Sequence, residues 1–186
     1  DAGEVIRKAR IIAAAAKKED AAATADEKQQ KAAAVKKALA AVRAVTTPED
    51  ADKMSSTERA NTVEVLAELV GAATETTDKT EATELTETLK AVLSAKADRA
   101  NQLNATASGQ DVLRIIARAA KAKKAATKAE REEERDLTRQ LAVLAAKSIA
   151  LGENSTIVGE GKKLIARKLP MSEALNTTFG GKQTSV

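Results

Sequence analysis

Over the first 150 residues the large apolar side chains recur at three- and four-residue spacing and hardly ever alternate. Val112, Ile115, Ile116 and Ala119 form one such set; Leu85, Leu89, Val92 and Leu93 form another, and Leu137, Leu141 and Leu144 a third. That period gathers them on one stripe of an α-helix and excludes a half-buried strand, whose side chains change face at every residue. Polar, threonine-rich stretches separate the stripes, so each helix must bury its stripe on a neighbour. The spacing predicts an all-α chain: an antiparallel helical array or bundle with a short extended or β segment near the C-terminus.

Capping signals divide the array. Thr24 with Glu27 and Ser55 with Glu58 have the spacing at which an N-cap hydroxyl and a third-position carboxylate satisfy each other's backbone donors. Pro48 suits the first position of a helix capped by Thr47, and Ser108 with Asp111 is read as a further cap. The expected stripes are Val5, Ala9, Ile12 and Ala16; Val35, Leu39 and Val42; and Val63, Leu66, Leu69 and Val70. "TETTDKTEAT" and "ANQLNATASGQD" are expected as connections, and "KAKKAATKAEREEERD" as a solvated helix or an inserted loop.

What such a chain can do is limited by its chemistry. It has neither cysteine nor histidine, which excludes a disulfide framework, a cysteine–histidine zinc site, an imidazole base and a thiol nucleophile. Glu64 and Glu68 lie one turn apart and are read as surface carboxylates, since nothing beside them in sequence would raise one pKa for acid–base work. No catalytic residue, cofactor-binding residue or metal-ligand set is expected. Net charge is only +4, and Phe179 is the sole aromatic, so neither counterion release nor base stacking favours nucleic acid. The charge is unevenly spread: basic from Asp1 to Val45, acidic from Thr46 to Asp111, and basic again beyond. That distribution suits helices that attract one another. No apolar run reaches the roughly 20 residues of a membrane span, and the chain opens on Asp1, as a mature or excised piece of a longer protein would.

Three of the five asparagines, Asn104, Asn154 and Asn176, begin N-x-Ser/Thr acceptor sequences, and each falls in or beside an expected loop where a glycan can be carried. They are the candidate modification sites, and they point to an extracellular location.

At Leu151 the chemistry changes to glycines and β-branched residues in "LGENSTIVGEGKKLIARKLP". A phosphate-cradling loop fails here, because Thr156 stands where its first glycine is needed and Lys163 where a hydroxyl must reach magnesium. Gly152, Gly159 and Gly161 read instead as exit turns from the helical layer, and "KLIARKL" alternates as a strand or extended crossover does. Pro170 ends it, and "TFGGKQTSV" reads as a turn leading toward a further strand.

The segments "MSSTERANTVEVLAELV", "LTETLKAVLSA", "ATASGQDVLRIIARAAK" and "LTRQLAVLAAKSIALGENSTIVGEGKKLIARKLP" resemble, in that order, the helical subdomain of GAIN domains. These modules precede the first membrane span of adhesion receptors and of polycystin and egg-jelly-receptor (REJ) proteins. The resemblance covers about Pro48 to Val186 and is closest to the polycystin version. It implies three parts: alanine-rich N-terminal helices at 1–46, an amphipathic helical subdomain at 47–151, and a crossover toward a β-subdomain at 152–186. It further implies a non-enzymatic extracellular structural module that supports the adjacent β-subdomain and spaces an ectodomain from the membrane, with a polycystin-type channel subunit as a partner. Autoproteolysis in that family uses a histidine, which this chain lacks. Two other readings fit the same composition: a self-contained, lipid-anchored surface-coat protein resembling those of trypanosomes, and a cytosolic coiled-coil scaffold.

Overall fold

The computed structural model describes residues 2–18, 24–72, 79–96, 101–123 and 127–169. Among these residues seven helices precede one β-hairpin: α1 Ala2–Lys17, α2 Ala25–Ala44, α3 Pro48–Lys53, α4 Ser56–Ala72, α5 Lys79–Ser94, α6 Ala105–Ala122 and α7 Lys128–Ser148, then β1 Asn154–Gly159 and β2 Lys162–Arg167. The expected class, helical with a short β segment near the C-terminus, is the class observed.

Several helix starts follow the sequence closely. Thr24 and Glu27 form a complete capping box at α2, and Ser55 and Glu58 exchange the same pair of bonds at α4. Thr47 caps α3 with Pro48 in its first turn. The start of α7 was legible but unread: within the charge run, Thr127 and Glu130 form another complete box, so that run is mostly the first turns of a packed helix.

Three expectations are corrected. Helix α1 is rotated slightly from the expected stripe: Ile6, Ala9 and Ala13 are its buried residues, and Val5, Ile12 and Ala16 flank them half-buried. Helix α5 begins at Lys79, inside the segment expected as a loop. Helix α6 begins at Ala105 and not near Asp111, because Asn104 supplies the cap one turn earlier by accepting from the Ala107 N–H at 3.2 Å. Ser108 is therefore a buried helix-interior residue. Asp111 pairs with Arg114, and burial pushes its carboxyl up against the pull of that arginine.

Helix α4 sits at the centre. It buries Val63, Val65, Leu66, Ala67, Leu69 and Val70, residues that occupy more than one face. On it pack α1, α2, α5 and α6, while α7 covers α5 and α6. A single buried cluster runs from Ile6 of α1 to Ala166 of β2. The attraction foreseen between basic and acidic segments is realised in the pairs Arg10–Glu64, Lys17–Glu68, Lys36–Glu81 and Arg43–Glu84. Their numbers ascend together, so α1 runs in the direction of α4, and α2 in the direction of α5.

Arg59 is the core's exception. It is 1% exposed, its Nε donates to the Met54 carbonyl at 3.1 Å, and its Nη2 has no hydrogen-bond partner. Burial lowers its pKa, with Asp52 acting the other way.

Candidate functional site

The unusual C-terminal stretch resolves into a hairpin mounted on two helices. Strands β1 and β2 pair antiparallel from Asn154↔Arg167 to Gly159↔Lys162. Glu160 and Gly161 make the two-residue turn, both at positive φ (49° and 74°), as the hairpin turns that match strand twist require. Gly152, at φ 86°, turns the chain out of α7 toward β1. The expected strand at "KLIARKL" is thus present as β2, while β1, "NSTIVG", was not foreseen. Its signal was the Glu-Gly pair at hairpin spacing between the β-branched run Thr156–Val158 and the alternating "KLIARKL".

Each strand follows one helix. Thr106 meets Ser155, Gly109 meets Ile157 and Arg114 meets Glu160, so β1 runs along α6 in the same direction. Lys162 bonds Glu134, and the Lys168 ammonium reaches the Ile149 carbonyl at 3.4 Å, so β2 runs along α7. Ser155, Ile157, Gly159, Leu164 and Ala166 face the helices and are buried. The other face carries Asn154, Thr156 and Val158 on β1, and Lys163, Ile165 and Arg167 on β2, all exposed. Val158 is 61% exposed and Ile165 52%, with Leu151 at 62% nearby in sequence. Among the described residues no third strand pairs with either edge. Beside the turn, Lys162 is engaged by Glu134.

Two of the three candidate acceptor asparagines are brought together. Asn104 is exposed at the N-cap of α6, and Asn154 is exposed at the start of β1. Their acceptor sequences touch, because the Thr106 and Ser155 hydroxyl oxygens lie 3.3 Å apart. Capping uses only the Asn104 Oδ1, so a glycan on Nδ2 leaves the cap intact. Thr156, the hydroxyl residue of the second sequon, is exposed on the outer sheet face. Asn176 lies outside the described residues, as do Pro170 and "TFGGKQTSV".

The carboxylates Glu64 and Glu68 do not converge on a cleft; each meets a cation of α1, Arg10 and Lys17 respectively. Three other glutamates gather cations from three elements onto one stretch of α7: Lys79 of α5 meets Glu130 at 3.0 Å, Lys123 at the end of α6 meets Glu133 at 3.4 Å, and Lys162 of β2 meets Glu134. Glu130 is held down to about 2, first by the Thr127 backbone N–H and next by Lys79. Among the described residues no group of three or more acidic side chains is placed to hold a metal ion, and no helix is long and apolar enough to cross a membrane. Comparison with protein-family models, with curated proteins and with solved structures finds no match to this chain.

Proposed function

We propose that this chain is a non-enzymatic extracellular module, the helical part of a GAIN/REJ-like unit of a polycystin-type membrane protein, and that its work is to carry a β-subdomain. The observation that supports this reading is the half-finished sheet. Its inner face is anchored on α6 and α7 through Ile157, Leu164 and Ala166, while its outer face presents Val158 and Ile165 to solvent. A mixed outer face with two exposed β-branched side chains, and no third strand on either edge among the described residues, is a surface on which further strands can pair and pack. In this role the helical layer is a rigid platform, a glycan on Asn104 at the start of α6 marks its solvent-facing side, and a channel-type polycystin subunit is the partner.

The register supplies the test. With Gly159 and Lys162 flanking a two-residue turn, the N–H groups of Leu164 and Ala166 point at β1, whereas those of Lys163, Ile165 and Arg167 point away. In the chain alone the second set should exchange with solvent much faster than the first. Adding the downstream segment of the natural protein, in the same chain or separately, should slow Lys163, Ile165 and Arg167 selectively. If those three amides are already protected in the chain alone, the support reading is wrong.

A second reading draws on the same hairpin. Leu164 and Ala166 are buried against the chain's own helices, as a self-contained, lipid-anchored coat protein of the trypanosome type would have them. Protection of the outer amides without any downstream segment is the result that reading requires.

A further inference from the structure

Helices α1 and α2 are fastened to the rest of the molecule differently from α4 to α7. Their buried residues are Ile6, Ala9 and Ala13 on α1 and Val35, Ala38 and Val42 on α2, and three of these six are alanines with little area to bury. Helices α6 and α7 also bury four alanines, but beside them they bury Leu113, Ile115, Ile116, Leu137, Leu141 and Leu144. Around the small contacts the ion pairs have one polarity. Arg10 and Lys17 of α1 reach Glu64 and Glu68 of α4, and Lys36 and Arg43 of α2 reach Glu81 and Glu84 of α5, with Glu87 at 3.9 Å from Arg43.

The α2–α5 seam is the clearest case. Lys36–Glu81 and Arg43–Glu84 flank a crevice of about 320 Å³ whose lining includes Leu39, Ala40, Leu66 and Leu85. The two helices meet there largely through charges and only sparsely through interlocked apolar side chains.

We propose that α1 and α2 form an electrostatic strap, which opens from α4 and α5 as one unit while α4 to α7 and the hairpin stay folded, and whose closure is set by ionic strength. One exposed ion pair contributes little, but several of the same polarity on one body act together. Salt weakens them in concert, since the screening length falls from about 10 Å at 0.1 M to about 3 Å at 1 M. Opening uncovers Leu66 and Leu85, apolar surface that the closed strap shields. Units held by few apolar contacts open below the global unfolding free energy.

Native-state amide exchange of the wild-type chain tests this at two salt concentrations. The α1 and α2 amides should share one opening, less protected than the buried amides of α6 and α7. Raising NaCl from about 0.02 M to about 1 M should lower their protection about tenfold and leave α6 and α7 within about twofold. The combined variant Glu64→Gln, Glu68→Gln, Glu81→Gln and Glu84→Gln should show low α1–α2 protection at both salt levels. Protection of α1 and α2 equal to that of α6 and α7, or unchanged by salt in the wild type, overturns the proposal without recourse to the variant.

Discussion

Gly109 of α6 and Ile157 of β1 approach so closely that a Cβ on the glycine would lie 2.6 Å from the isoleucine Cδ1 and 2.7 Å from its Cγ2. The missing side chain is what lets the hairpin seat on the helix. A glycine inside a helix is disfavoured by about 1 kcal/mol relative to alanine, so its presence here reflects the close approach and not helix propensity.

Two glycine substitutions should therefore have opposite signs. Gly109→Ala should destabilise the chain by about 1–3 kcal/mol, since a β-branched isoleucine cannot readily swing its atoms aside. Gly71→Ala, in α4 with nothing within 4 Å of the added carbon, should stabilise by about 0.5–1 kcal/mol. Urea unfolding of both variants checks the pair, and Ile157→Val in the Gly109→Ala background should recover part of the loss. A stabilised Gly109→Ala protein would mean that β1 does not sit on α6.

Leu141 is 0% exposed in the stripe it shares with Leu137 and Leu144. Leu141→Ala should cost about 2–5 kcal/mol. A loss below about 1 kcal/mol in the same unfolding experiment would place that face of α7 in solvent.

Arg59 predicts the reverse of the usual rule for buried charges. Its guanidinium is buried, its Nη2 has no hydrogen-bond partner, and among the described residues it forms no ion pair, so its desolvation is poorly compensated. Arg59→Met, which keeps the length and drops the charge, should be neutral or stabilising by about 1 kcal/mol. A loss above about 2 kcal/mol would show that the guanidinium has a partner in solution.

Acid should act through the helix caps. The folded pKa of Glu130 is about 2 against an ordinary 4.5. Backbone donors at Thr24 and Ser55 likewise hold Glu27 and Glu58 below that value. Because the folded pKa is depressed, the contribution of Glu130 is fully present above about pH 4.5 and is lost as pH falls toward 2. Thermal unfolding followed by circular dichroism should show the melting temperature falling through that window, and less steeply in Glu130→Gln. Parallel profiles for the two proteins would remove Glu130 from the explanation.

Asn104 has two roles that substitution can separate. Asn104→Ala should cost about 1 kcal/mol through the lost cap, whereas Asn104→Asp should retain stability; both abolish any glycan there. Mass spectrometry of protein from its native source should find sugar on at least one of Asn104, Asn154 and Asn176. Complete vacancy at all three would shift the reading to the cytosolic scaffold.

Much of the fold was legible because its signals are local. Thr24–Glu27 and Ser55–Glu58 mark helix starts through bonds between residues three apart, Thr47–Pro48 does so through a cap followed by a first-turn proline, and the leucine and isoleucine stripes mark buried faces through the helical period alone. The cap at Asn104 went unread because Ser108 and Asp111 offered the same local pattern one turn later. In the fold Asn104 Oδ1 takes the Ala107 N–H, and Ser108 lies buried inside the helix, where it cannot act as the cap. Of the candidate modification sites, Asn104 and Asn154 were each visible in sequence, but their contact through Thr106 and Ser155 was not.

The sequence by itself determined the helical class, the starts of α2, α3 and α4, the buried faces of α4 to α7 and the absence of thiol and imidazole chemistry, because composition, period and capping act within a turn or two. Only the tertiary structure decided which helix pairs with which, that α1 runs with α4 and α2 with α5, that the hairpin lies along α6 and α7, and that Val158 and Ile165 on its second face are exposed. Those choices depend on distant surfaces fitting one another, and steric fit across space has no period along the chain.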